Sequence, residues 1–85
     1  MKKLELEVKN KAENYRVLLI EPLGLKFGME LGEKYLLRVI ANNFQMFIHD
    51  DSEEIVFTFK DFEHLDVKVF SDGEEILTGH NILFI

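Results

Sequence analysis

Residues 55–60 read Ile-Val-Phe-Thr-Phe-Lys, and they carry the clearest secondary-structure pattern in the chain. In a β-strand successive side chains point to opposite faces of the sheet. Ile55, Phe57 and Phe59 therefore share one face of this segment, while the residues between them share the other. An apolar face of this kind predicts a strand that packs one side against a core.

The same period of two extends over most of the chain on both sides of this segment. Leu4, Leu6 and Val8 alternate with glutamates near the N-terminus. Other alternating or continuously apolar segments lie at residues 15–21, 25–31, 44–48, 65–70, 76–78 and 82–85. Because turn residues separate them at intervals of about ten residues, the sequence predicts an all-β fold. The expected architecture is a small antiparallel β-sandwich or partly open barrel of seven to eight short strands.

Residues 35–41 leave two interpretations open. Leu36, Val39, Ile40 and Phe44 fall at helical spacing. Val39 and Ile40 are adjacent β-branched residues, however, and the neighbouring segments all alternate, which favours a strand. Turn chemistry is clearer, since Pro22 and Gly24 end one segment and Asp72-Gly73 predicts a type I′ hairpin.

Length and composition indicate one domain over residues 1–85. The chain is 47% hydrophobic and contains eight Phe and no Trp, which suits a phenylalanine-rich core. It contains no cysteine, so disulfide scaffolds, thiol catalysis and cysteine-zinc sites are excluded. No apolar segment follows Lys2 and Lys3 as it would in a signal peptide, and the expected location is cytoplasmic.

The charge balance argues against two classes of partner. Sixteen acidic residues stand against ten Lys and Arg, which gives a formal net charge of −6. Nucleic-acid binding requires a basic surface that displaces phosphate counterions, and the sequence contains no such cluster. A negative protein is also repelled by anionic membranes. We therefore expect neither a nucleic-acid nor a membrane partner.

Three turns resemble those of a group of small uncharacterised bacterial β-domains. The matching residues are Glu21-Pro22-Leu23-Gly24, Leu31-Gly32-Glu33 and Asp72-Gly73-Glu74, and the resemblance covers roughly residues 8–76. Cupin-like double-sheet barrels use similar turns. Leu23 stands where that group usually has Trp, and Leu31 where it usually has Pro. The resemblance implies a fold but no activity, and the His-x-His signature of true cupins is absent.

The three histidines are the first candidates for metal ligands. His49, His64 and His80 each lie at a predicted strand–turn junction, and Asp66 would share a strand face with His64. Their spacing matches no established metal motif, so we predict neither a metal site nor another cofactor. The acidic segment 50–54 lacks the central Gly of a calcium loop and is typical of a solvated turn. No nucleophile or phosphate-binding motif is present, and the protein is not expected to be an enzyme.

Apolar residues also occupy the second face of several predicted strands. Such surplus faces usually mark an interface, because a two-sheet protein without helices has little to cover them. The candidate contact residues are Phe47, Phe70, Leu83 and Ile85. The alternative is that they fill barrel ends or lie under loops.

The favoured hypothesis for the function is a non-catalytic protein-interaction module, which forms a homo-oligomer or binds a partner protein. The alternative function is a cupin-like barrel that binds a small ligand or metal.

Overall fold

A computed structural model describes residues 1–76 of the chain. Within this range the chain forms eight β-strands and no helix. The strands are β1 (Lys2–Lys9), β2 (Arg16–Glu21), β3 (Leu25–Met29), β4 (Lys34–Ala41), β5 (Gln45–Asp50), β6 (Glu54–Lys60), β7 (Asp66–Ser71) and β8 (Glu74–Ile76). The all-β fold class predicted from the alternating segments is therefore confirmed.

The strands form two four-stranded sheets. One sheet has the order β1-β4-β7-β8 and the other the order β3-β2-β6-β5. The described residues form no closed barrel, so the architecture is that of a small β-sandwich. The pairings are antiparallel, as the sequence predicts, with one exception: β2 and β6 pair in parallel, with Leu18 opposite Ile55. The other pairings are antiparallel.

The core lies between the two sheets and contains the inward side chains of both. Its buried members include aromatic and aliphatic residues at alternate positions: Phe27, Phe57, Phe59, Leu18, Ile20, Leu37, Val39 and Val69. Complete burial of one such side chain stabilises the folded state by about 1.5–3 kcal/mol. The apolar residues that recur at every second position of the sequence are therefore the residues that form the hydrophobic core.

Strand β4 settles the two interpretations of residues 35–41. It lies between β1 and β7, and Tyr35, Leu37 and Val39 at alternate positions are all buried. Both of its edges are hydrogen-bonded to neighbours. The strand predicted from Val39 and Ile40 is therefore confirmed.

Tyr35 joins the two sheets. Its ring packs edge-on against Phe27 of β3, with ring centroids 6.2 Å apart, and its hydroxyl donates to the Gly28 carbonyl oxygen at 2.6 Å. Burial, together with the negative charge of Glu33, raises the pKa of Tyr35 to about 12. The side chain stays neutral and hydrogen-bonded at physiological pH.

Two turns adopt the backbone conformations that their residues predict. Asp72 and Gly73 have φ values of 52° and 83° between β7 and β8, which is the type I′ geometry expected of Asp-Gly. Gly24, with φ of 70°, ends the turn between β2 and β3. The Glu21–Pro22 peptide bond in that turn is cis.

Candidate functional site

Among the strands formed by residues 1–76, β5 lies at an edge of its sheet. Its partner among the described strands is β6, with Met46 opposite Phe59 and Ile48 opposite Phe57. Directly opposed residues of an antiparallel pair point to the same side of a sheet. Met46 and Ile48 therefore lie on the core-facing side, and Phe47 lies on the outer side opposite Thr58.

Both sides of β5 carry exposed apolar side chains. Phe47 is 51% exposed and Ile48 is 57% exposed, although Phe57 opposite Ile48 is buried. The alternation of residues 44–48 predicts the side on which Ile48 lies but not its exposure. Met46 packs partly against the core, whereas Ile48, two residues further along the same side, is more than half exposed. We refer to residues 45–50 with both sides of the strand as the β5 edge.

The backbone at this edge offers hydrogen-bonding groups to a further strand. The Asp51 N–H donates to the Glu54 carbonyl oxygen at 3.0 Å. Asp51 and Glu54 are therefore a hydrogen-bonded pair, and this determines which residues of β5 bond to β6. Hydrogen-bonded positions alternate along an antiparallel pair. Phe47 and His49 therefore direct their backbone groups toward β6, and Met46 and Ile48 direct theirs away from it.

The acidic segment after β5 forms an ordered turn. One carboxylate oxygen of Asp51 accepts from the backbone N–H groups of Glu53 and Glu54, at 2.8 and 2.9 Å. The other oxygen lies 2.9 Å from His49 Nε2. The two backbone hydrogen bonds, and then the histidine, lower the pKa of the Asp51 carboxyl group. Asp51 thus stabilises the turn that connects β5 to β6.

Arg16 connects this turn to the interior. Its side chain is buried at the start of β2, and its Nη1 donates to the Asp50 carboxylate and, at 2.8 Å, to the Asp51 carbonyl oxygen. Its Nε donates to Asn10 Oδ1 at 2.8 Å. A buried guanidinium requires such partners, because removing it from water is costly. The end of β5 is thereby attached to β2, across the intervening strand β6.

Asn10 is the centre of this buried polar network. It is fully buried, and its Nδ2 donates to the carbonyl oxygens of Met29 at 2.9 Å and Asn14 at 3.0 Å. Its Oδ1 accepts from Arg16 and, at 3.1 Å, from the Ala12 N–H. Asn10 lies between two of the alternating segments of the sequence, and nothing in that pattern indicates this role.

Two of the histidines named as candidate metal ligands, His49 and His64, lie on different elements. His49 is on β5, and His64 is in the turn before β7 with a left-handed φ of 53°. The prediction that His64 and Asp66 share a strand face is wrong, because β7 begins at Asp66. His80 lies outside the described residues. Residues 1–76 contain no group of three or more His, Asp or Glu that could hold a metal ion.

The predicted contact residues do not form one surface. Phe47 lies on the outer side of one sheet, where Lys60 Nζ is 5.4 Å from its ring centroid. Phe70 lies on the outer side of the other sheet, half-covered by the Arg38 guanidinium 4.7 Å from its ring centroid. Arg38 in turn donates to Glu5 at 2.8 Å and lowers the pKa of that carboxyl group. Leu83 and Ile85 lie outside the described residues.

An open pocket of about 140 Å³ lies between the sheets on the side of β3, β7 and β8. It is lined mostly by apolar side chains with one cation and one anion: Leu25, Phe27, Val67, Lys68, Val69, Glu75 and Ile76. Neither of the two histidines within residues 1–76 lines it, so His49 and His64 do not share a site with this pocket.

No family model, no curated protein and no solved structure matches this chain. Within residues 1–76 there is no helix long and apolar enough to cross a membrane.

Proposed function

We propose that the protein is a non-catalytic protein-interaction module that associates with a second copy or with a partner protein through the β5 edge. The observation that carries this proposal is the exposure of Phe47 and Ile48 on the two sides of one edge strand. An added strand covers both side chains at once, because it extends the sheet on both of its faces.

The sequence of β5 supports this role. Edge strands are usually protected from pairing by central charges, prolines or bulges. The three central residues of β5 are Met46, Phe47 and Ile48, and the charged residue of the strand, Asp50, lies at its end. The centre of the strand therefore presents apolar side chains and a continuous backbone to an incoming chain.

The buried polar network around Arg16 also supports the proposed function, because it holds β5 in place before a partner binds. Arg16 attaches the Asp50 end of β5 to β2, and Asp51 stabilises the following turn. A strand already held in its extended conformation loses little conformational entropy when it binds. Arg16, His49 and Asp51 are engaged here in hydrogen bonds that shape β5 and the turn after it.

Replacing Ile48 with Lys tests the proposal. We expect wild-type protein to sediment above its monomer mass of 10.0 kDa as concentration rises. Ile48→Lys should remain at the monomer mass, because a charge on the inward side of an edge strand disfavours pairing. The matched control is Leu31→Lys, since Leu31 is 62% exposed but lies in the turn between β3 and β4. This control should associate like the wild type.

The measurement is analytical ultracentrifugation over a range from micromolar to millimolar protein. Circular dichroism of each variant shows that the sheet is retained. The proposal is wrong in its self-associating form if wild-type protein stays at the monomer mass throughout. It is wrong about the surface if Ile48→Lys and Leu31→Lys weaken association equally.

A further inference from the structure

We infer that the partner at the β5 edge is a second copy of this chain, bound by antiparallel β5–β5 pairing about a two-fold axis at Phe47. This inference rests on the proposed function and gives it a defined geometry. The pairing joins two four-stranded sheets into one continuous sheet of eight strands. Two-fold symmetry is the commonest arrangement of soluble homo-oligomers, and it requires a surface that is complementary to itself.

The backbone groups at the edge have the phase that this axis requires. Met46 and Ile48 direct their N–H and C=O groups away from β6, as the ladder phase shows. With the axis at Phe47, Met46 faces the partner's Ile48, and the two residues exchange a pair of hydrogen bonds. Ile48 and the partner's Met46 form the symmetry-related pair and exchange two more, which gives about four backbone hydrogen bonds in all.

The side chains of β5 are self-complementary about the same point. The strand reads Gln-Met-Phe-Ile-His from residue 45 to residue 49, so two polar residues flank three apolar ones. The pairing places Phe47 against the partner's Phe47 on the outer side. It places Ile48 against the partner's Met46 on the core-facing side. Gln45 then faces the partner's His49, and each polar side chain has a polar neighbour.

Charge favours the antiparallel orientation. The acidic residues Asp50 and Asp51 follow the centre of β5, whereas the residues before it, Asn43 and Gln45, are neutral. Lys60 lies directly opposite Gln45 in β6. Antiparallel pairing brings the Lys60 end of one copy beside the acidic end of the other. Parallel pairing would place two acidic turns side by side.

Neighbouring registers fit less well. An axis between Phe47 and Ile48 would join the core-facing side of one sheet to the outer side of the other, because a shift of one residue exchanges the faces. An axis at Ile48 would place Met46 against the partner's Asp50. Since the Asp50 carboxylate already accepts from the buried Arg16, it cannot turn away from that apolar contact without losing this bond.

Single cysteines test the register, and the native chain contains none that could interfere. We expect Gln45→Cys and His49→Cys proteins, mixed in reduced form and then oxidised, to give a disulfide-linked dimer of twice the monomer mass. These positions form a non-hydrogen-bonded pair with Cα atoms about 4.5 Å apart, which a disulfide can span. Both native side chains are exposed, so neither substitution disturbs the core.

The matched control pairs His49→Cys with Glu7→Cys, which is exposed on β1 of the other sheet. This mixture, and each single variant alone, should give at least tenfold less cross-linked product. Denaturing gel electrophoresis without reductant measures the yield, and mass spectrometry identifies the linked peptides.

The outcomes separate the pairing from the proposed function. Association in the ultracentrifuge without a 45–49 cross-link overturns the two-fold pairing but leaves the β5 edge as an interaction surface. Association with an efficient 49–49 cross-link indicates another register and also overturns it. A monomer that captures a different protein through the β5 edge overturns the second-copy inference alone.

Discussion

Phe59→Ala is expected to lower the free energy of unfolding by about 4 kcal/mol, the largest effect of any substitution considered. Phe59 is 2% exposed and packs edge-on against Phe44, with ring centroids 5.8 Å apart. It also lies opposite Met46, so it supports the inner side of β5 from β6. Removing the ring forfeits its transfer free energy and leaves a cavity that the surrounding strands fill only in part.

Urea unfolding followed by circular dichroism, in protein dilute enough to be monomeric, measures this loss without a contribution from association. The matched control is Phe47→Ala, which removes the same ring from the outer side of the same sheet. Because Phe47 is half exposed, the control should cost less than about 1 kcal/mol, including its contact with Lys60. If Phe59→Ala prevents folding, Phe59→Leu provides a milder comparison. Equal losses for Phe59→Ala and Phe47→Ala would contradict the assignment of the two faces.

Asn10→Ala is expected to lower the free energy of unfolding by about 3 kcal/mol, although it removes only a small polar side chain. The substitution breaks the hydrogen bond from the buried Arg16 and leaves the Met29 carbonyl oxygen without the donor it now has. Hydrogen bonds to charged groups contribute about 1.5–3 kcal/mol, and a buried group left unpaired adds its desolvation penalty. The loss of stability should therefore be similar to that caused by truncating a buried apolar residue.

Asn43→Ala is the control for this prediction, since Asn43 is exposed in the loop between β4 and β5. It should change stability by less than about 0.5 kcal/mol. The same urea experiment measures both variants. A loss below about 1 kcal/mol for Asn10→Ala would show that water replaces its hydrogen bonds and that the network does not hold the β5 turn.

The sequence was most informative where one physical cause dominates. Alternation predicted the strands because a side chain at every second position must enter the core, as in residues 55–60 and in β7. The hairpin at Asp72-Gly73 followed from the positive φ values that a type I′ turn requires. Adjacent β-branched residues favoured the strand over the helix in β4, which the structure confirms.

Strand neighbours could not be predicted in the same way. Alternation gives the face on which a residue lies but not the strand that lies beside it. The parallel pairing of β2 with β6 depends on contacts across the whole chain, and so does the position of β5 at an edge. For this reason Ile48 has the pattern of a core residue and is nevertheless exposed.

The buried polar network escaped prediction for a different reason. Asn10 and Arg16 are common surface residues, and their burial depends on partners contributed by β3 and by the turn after β5. One clue was present in the sequence, because Arg16 lies two and four residues before Leu18 and Ile20 and so shares their inward face. Among the predicted contact residues, Phe47 lies at the β5 edge, whereas Phe70 lies on the other sheet.

Amide hydrogen exchange along β5 tests most directly whether this strand is the binding edge. In dilute protein the Phe47 and His49 amides should be protected by β6, while the Met46 and Ile48 amides exchange rapidly. As concentration rises and the edge becomes covered, the Met46 and Ile48 amides should gain protection and the other two should change little. Protection of Ile48 that is already complete in dilute protein and independent of concentration would contradict the account.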